Sequence, residues 1–176
     1  MKILIGILGV IAGLIILFLI IALFVSKSYK IEREITINQP KQVVFDYVKV
    51  QRNQDNYNKW LMMDPAMKKA YSGTDATEGF VYSWNGDKKA GEGEMEIIRL
   101  TEGEKIDMEL RFKRPMESVA YTHMSTTEVS PQQTLVKWSM EGRSPYPFNL
   151  MTHLMSGSLG SDLEESLGKL KAILEK

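Results

Sequence analysis

Between Ile3 and Val25 the chain runs ILIGILGVIAGLIILFLIIALFV, without one charged side chain. No other stretch constrains the fold as strongly. At about 1.5 Å per residue such a helix spans roughly 34 Å, enough to cross the hydrocarbon core of a bilayer. The rival reading is a cleaved signal peptide, whose apolar region covers about 7–15 residues before a small-residue cleavage motif. Here the run is longer and ends in FVSKSYK, with no A-x-A pattern. The expectation is therefore an uncleaved transmembrane anchor over residues 3–25 and a single-pass membrane protein. One domain, residues 28–176, follows with almost no linker. Gly9 and Gly13 form a G-x-x-x-G pair inside the run, a spacing that allows weak self-association of membrane helices. Lys2 precedes the run, and Lys27, Lys30 and Arg33 follow it. The positive-inside rule thus tilts the domain toward the cytoplasm.

Charge and cysteine content remove several function classes. Setting Lys2 aside leaves 21 basic and 22 acidic side chains, a net charge of −1. Nucleic-acid binding needs a basic face, and none is expected. The chain has no cysteine, which excludes disulfides, thiol catalysis, thiolate metal sites and lipoprotein attachment.

Beyond the anchor the periodicity alternates between helix and strand. YKIEREITI sets Ile31, Arg33, Ile35 and Ile37 on one side, a half-buried strand with an imperfection at Arg33. Asn38 is placed to cap a following helix, with Pro40 near its first turn and Val43, Val44, Tyr47 and Val48 as its apolar stripe. QRNQDNYNKW reads as loop or short helix, and Asp64-Pro65 as a turn. Then the period becomes two. Phe80, Tyr82 and Trp84 share a face before the Asn85-Gly86-Asp87 turn; Met95 and Ile97 oppose Glu94 and Glu96. Ile106, Met108, Leu110 and Phe112 alternate with charged residues. SVAYTHMSTTEV and QTLVKWSMEG add two more strands, the second with Val136, Trp138 and Met140 on one face. Leu159, Leu163, Leu167 and Leu170 give the last segment a helical stripe, with Ser161 and Glu164 at capping-box spacing. PFNLMTHLMSG before it reads as an extra helical turn or two. Successive short strands imply a twisted antiparallel sheet, and this last helix is the available cover for its apolar face.

KKAGEGEMEII, residues 88–98, invites comparison with a phosphate-binding loop. A Walker loop needs G-x-x-x-x-G-K-[ST] between strand and helix, and a dinucleotide fingerprint needs a third glycine and a helix. This stretch has neither, and places Glu92 and Glu94 where phosphate would sit. Gly91 and Gly93 are expected to relieve a bend or bulge in a curling sheet.

DPAMKKAYSGTDATEGFVYSWNGDKKAGEGEMEI, residues 64–97, resembles the SRPBCC superfamily of polyketide-cyclase/dehydrase and lipid-transport proteins with the START-like, Bet v 1-like fold. Trp60, Asp64-Pro65, Tyr71-Ser72-Gly73, Tyr82-x-Trp84 and Gly91-x-Gly93-x-Met95 carry the likeness. INQPKQVVFDYV resembles the family's opening strand and helix, and GSLGSDLEESLGKLK its final helix. The resemblance implies an α+β helix-grip fold, a curved antiparallel sheet wrapped around a long C-terminal helix, here preceded by one transmembrane helix. It also implies an apolar cavity. Trp60, Tyr82, Trp84, Met95, Met108, Leu110, Tyr121, His123, Trp138, Met140, Met155 and Leu159 are the residues expected to line it. Eleven methionines and three tryptophans suit a cavity that adapts to varied apolar ligands, and equally an ordinary Met-rich core; the sequence does not choose.

Catalytic signals are sparse. His123 and His153 lack a partner at metal-ligand spacing, so no metal site and no cofactor is expected. Glu92, Glu94, Glu96, Asp107 and Glu109 alternate with Lys and Arg as a solvated outer face would. Neither a G-x-S-x-G elbow nor a Ser/His/Asp arrangement is present. The expected function is a membrane-anchored module binding an apolar small molecule or lipid. Two alternatives stand beside it. One is a protein-interaction domain; the other is a cyclase- or dehydrase-like enzyme drawing on His123, Tyr82, Tyr121 or Glu92.

Overall fold

The computed structural model describes residues 2–176. Helix α1 covers Lys2–Phe24, and strand β1 begins four residues later at Ser28–Ile37. Helix α2, Lys41–Val48, and a 3-10 segment, Gln51–Asn56, lead to a meander of β2 Lys68–Ser72, β3 Val81–Asn85, β4 Glu92–Thr101, β5 Lys105–Arg114, β6 Ser118–Ser130 and β7 Gln133–Arg143. Helix α3, Asn149–Leu174, ends the chain. The strands form one antiparallel sheet in the order β1-β7-β6-β5-β4-β3-β2, so β1 crosses over to pair with the last strand. This is the α+β helix-grip architecture, a curved sheet closed on one face by α3.

The period-two residues land inward as the alternation requires. Tyr82, Met95, Ile97, Ile106, Met108, Val136 and Trp138 are buried, and Leu163, Leu167 and Leu170 of α3 meet them from the other side. Arg33, the odd residue of β1, fits because Gly160 has no Cβ: the guanidinium occupies the space that a side chain there would fill. The two glycines of the KKAGEGEMEII stretch have separate tasks. Gly91 takes φ +69° in the turn against the Arg114 carbonyl, and Gly93 lets the Trp84 ring lie across β4. Register shifts at Glu92/Gly93 and Ile97/Arg99 mark bulges in this part of the sheet.

Three local expectations differ from the structure. Pro40, not Asn38, occupies the N-cap position of α2, and no side chain caps it. Asn38 instead accepts a bond from Gln133 Nε2 through Oδ1, while its backbone N–H donates to Glu175, tying the end of β1 to the end of α3. Phe45 belongs to the buried stripe of α2, and Val43 does not. Ser161 caps nothing: α3 begins twelve residues earlier, and Ser161 Oγ donates to the Gly157 carbonyl within the helix. Gly9 and Gly13 lie on open surface of α1.

Candidate functional site

Between the inner face of the sheet and α3 lies a cavity of about 230 Å³. The concave strands supply Tyr82, Trp84, Met95, Leu110, Phe112, Thr122, Trp138 and Met140. The segment after the 3-10 turn supplies Gln54, Asn58, Trp60, Leu61 and Met63, and α3 supplies Leu159. Lys89 and Ala90 from the β3–β4 turn, with Arg114 and Pro115 from the end of β5, complete the lining. The aromatic rings hold one another edge to face: Trp60 on Trp138 at 6.4 Å and Trp84 on Phe112 at 5.8 Å. Such pairs fix the walls without offering polar atoms to the interior.

The polar groups of the lining already have partners. Thr122 Oγ1 donates to the Ser139 carbonyl (2.9 Å) and accepts from Trp138 Nε1 (2.8 Å). Three buried amides form a chain: Asn58 Nδ2 donates to Gln54 Oε1 (2.8 Å), and Gln54 Nε2 to Gln51 Oε1 (2.5 Å). Asn58 Oδ1 then accepts from the Trp60 backbone N–H. The Tyr82 hydroxyl turns away to donate to Asp55 (2.5 Å), and burial together with that carboxylate drives its pKa far above the ordinary phenol value. Arg114 is held by Glu92, Asn85 and the Gly86 carbonyl. Lys89 differs: among the described residues no carboxylate lies within ion-pair distance of it.

Of the residues expected at the cavity, Trp60, Tyr82, Trp84, Met95, Leu110, Trp138, Met140 and Leu159 line it. Four lie elsewhere. Met108 is buried in the core, its sulfur 3.9 Å from the Gln54 amide nitrogen. Tyr121 and His123 face outward because β6 turns Ala120, Thr122 and Met124 inward. Met155 stands half exposed on the flank of α3. His123 Nδ1 lies 2.5 Å from Asp107 Oδ1 on the outer face, with Lys105 on the same carboxylate. Burial pushes the Asp107 carboxyl up, but Lys105 and His123 outweigh it and hold the group below the usual carboxylate range. Glu94, Glu96 and Glu109 surround Arg111 on that face at 2.7–2.8 Å, as a solvated charge ladder. Among the described residues no three His, Asp or Glu side chains are grouped to hold a metal ion. Sequence reasoning missed Gln54, Asn58, Leu61, Met63, Lys89, Ala90, Phe112, Arg114, Pro115 and Thr122. Only Phe112 carried a signal, as the last term of the β5 alternation.

No protein-family model and no curated protein matches the chain. Solved structures do. A protein from Nitrosospira multiformis superposes with a TM-score of 0.62 at 17% identity, covering 82% of this chain and 94% of that one. Norcoclaurine synthase from Thalictrum flavum, solved with dopamine and hydroxybenzaldehyde, gives 0.63 at 11% identity over 84% and 87%. CalU16 from Micromonospora echinospora gives 0.57 at 12% over 84% and 76%. At such identities the likeness concerns the backbone alone, and it agrees with the strand order and the closing helix: this chain has the Bet v 1-like helix-grip fold.

Proposed function

We propose that the chain is a membrane-anchored binding domain that holds a small apolar molecule, or a single acyl or isoprenoid chain, in the cavity under α3. The observation that carries this reading is a cavity walled by aromatic and methionine side chains, in which Thr122, Gln54, Asn58, Tyr82 and Arg114 already have partners and Lys89 is the one lining charge without an ion-pair partner among the described residues. Away from Lys89, a ligand with hydrogen-bonding groups would lose water there and gain little in return. Proton transfer needs a free acid or base beside the substrate; Thr122, Asn58, Gln54 and Tyr82 are all engaged, which leaves Lys89 as the one titratable lining group without an ion-pair partner among the described residues.

The anchor is supported by α1, which is long and apolar enough to cross a membrane. A second support is Asn149 at the start of α3. Its Nδ2 donates to the carbonyls of Ala22, in the last turn of α1, and of Val25 just beyond it, both at 2.8 Å. Removal of α1 as a signal peptide would leave this buried amide without those acceptors. Lys27, Lys30 and Arg33 after α1 favour a cytoplasmic domain.

The test is native mass spectrometry of the full chain released from detergent micelles, followed by solvent extraction of whatever is bound. A reproducible apolar adduct that disappears in Met140→Asp, with the folded charge-state envelope retained, supports the reading. An adduct-free mass after incubation with membrane lipid extract overturns it.

A further inference from the structure

The sheet register puts the end of α1 and the turns that line one end of the cavity at the same end of the molecule. Ser28, just after α1, pairs with Arg143 at the end of β7. Phe112 near the end of β5 pairs with Ser118 at the start of β6, and Arg114 pairs with Glu92 at the start of β4. Glu92 in turn pairs with Asn85 at the end of β3. The turns at 86–91 and 115–117, which give Lys89, Ala90 and Pro115 to the cavity lining, therefore flank the point where α1 enters. α3 begins there too, through Asn149.

Charge is divided between the two ends. The segments entering and leaving the sheet at this end (26–28, 64–68, 85–92, 113–118 and 143–148) contain Lys27, Lys68, Lys88, Lys89, Lys113, Arg114 and Arg143 against Asp64, Asp87, Glu92 and Glu117. Those at the opposite end (38–41, 73–80, 101–105, 128–133 and 174–176) reverse the balance: Asp75, Glu78, Glu102, Glu104, Glu128 and Glu175 against Lys41, Lys105 and Lys176. Lys113 and Arg114 are paired with glutamates, whereas Lys27, Lys88, Lys89 and Arg143 have no carboxylate within ion-pair distance among the described residues.

The same end exposes large apolar side chains. Phe148, Met151 and Met155 are 51%, 48% and 50% exposed, and with Leu159 of the cavity wall they recur at three- and four-residue spacing along one helix face. Met63 and Met116, 41% and 46% exposed, stand beside the mouth. Residues 149–160 contain no Asp, Glu, Lys or Arg. A basic surface around an apolar ridge is the pattern of elements that lie in a membrane interface.

We infer that this end of the domain rests on the leaflet into which α1 passes. The basic turns meet anionic headgroups, and the Phe148–Met151–Met155 ridge sits at the boundary between headgroups and acyl chains. The cavity mouth then opens onto the acyl region, and an acyl chain enters without crossing water. This rests on the anchored reading above, and the experiment separates the two.

The chain lacks cysteine, so single-cysteine nitroxide labels are unambiguous. Labels at Ile11, Met116, Met155 and Val129 would be placed on the full chain in nanodiscs of phosphatidylcholine with phosphatidylglycerol. Collision of each label with oxygen and with a water-soluble nickel chelate is then compared. Val129, 56% exposed in the β6–β7 turn at the opposite end, is the aqueous reference. The expected result is an oxygen-to-nickel ratio highest at Ile11, and raised above the Val129 value at Met155 and Met116. Ratios at Met155 and Met116 equal to that at Val129, with Ile11 embedded, overturn the docking and leave the anchor standing. An aqueous ratio at Ile11 removes both. Dipolar broadening between Met155 labels of two chains also overturns the docking, because a second copy then covers the ridge.

Discussion

The first eleven residues of α3, Asn149–Leu159, and the last fifteen, Gly160–Leu174, share one helix but not one environment. In the second half Leu163, Leu167 and Leu170 are buried, and the opposite face carries ion pairs such as Lys169 with Glu165. Lys59 from the cavity segment reaches across to Asp162 and Glu165 at 2.8 and 2.6 Å. In the first half only Asn149 is buried, Met151, Leu154 and Met155 face outward while Leu159 lines the cavity, and the end of α1 packs alongside. Apolar residues are as frequent in one half as in the other. The difference teaches that a hydrophobic stripe names a face to be covered, while the surface opposite decides what covers it.

Matching substitutions in the two halves put a magnitude on that difference. Leu167→Ala is expected to cost about 2–5 kcal/mol, because a buried leucine leaves a cavity that the sheet cannot close. Leu154→Ala, at a site 69% exposed, is expected to stay within about 0.5 kcal/mol. Urea unfolding of the micelle-held chain, followed by tryptophan fluorescence, reads both, and equal costs would break the comparison. A smaller effect sits at the boundary. Gly160→Ala gains up to about 1 kcal/mol of helix propensity but displaces the Arg33 guanidinium. The gain should therefore be visible in an Arg33→Ala background and reduced or absent in the native one. A double-mutant cycle measures the coupling, and additivity within error would show that the contact is unimportant.

The smallest effect expected is that of Lys59→Met, and it depends on pH. The hydrogen bonds from Lys59 and then Lys169 lower the Glu165 pKa. The Lys59 pKa is raised by Asp162 first and Glu165 second. A lowered carboxylate contributes above its unfolded value near ~4.3 and loses the contribution as pH falls; a raised lysine contributes below its unfolded value near ~10.4 and loses it as pH rises. Lys59→Met should thus lower the unfolding midpoint slightly around neutrality and leave it unchanged near pH 3. A difference that persists in acid would assign the effect to packing of the lysine stem.

The parts legible in the sequence are those where one face is apolar and the other charged. Tyr82 and Trp84, Met95 and Ile97, Ile106 to Phe112, and Leu163 to Leu170 announce both their element and their buried side. Strand β2, Lys68–Ser72, announced neither: it is a short edge strand with almost no buried side chain, formed by its pairing with β3 rather than by its own pattern. The parity of β6 misled because its inward residues, Ala120 and Thr122, are smaller or more polar than the outward Tyr121. The size of the cavity follows partly from those small side chains. The start of α3 was legible in part: PFNLMTHLMSG reads as an extra helical turn or two, and the helix begins within it at Asn149, while the capping-box spacing at Ser161 pointed to a later start. The amides of Gln54 and Asn58 were out of reach for a different reason. A buried polar residue is tolerable only through partners that sequence spacing does not disclose.

The Gln51–Gln54–Asn58 chain has a consequence for ligand choice. Each amide gives its donor to the next and receives the acceptor it needs, so turning one around would leave opposed lone pairs unless its neighbours turned too. The three therefore hold one setting together. A molecule arriving with a hydroxyl or carbonyl would find the hydrogen bonds along the chain already made, with only the second N–H or lone pair of each amide left to meet. On the binding reading proposed above, this end of the cavity would favour guests with little hydration to abandon.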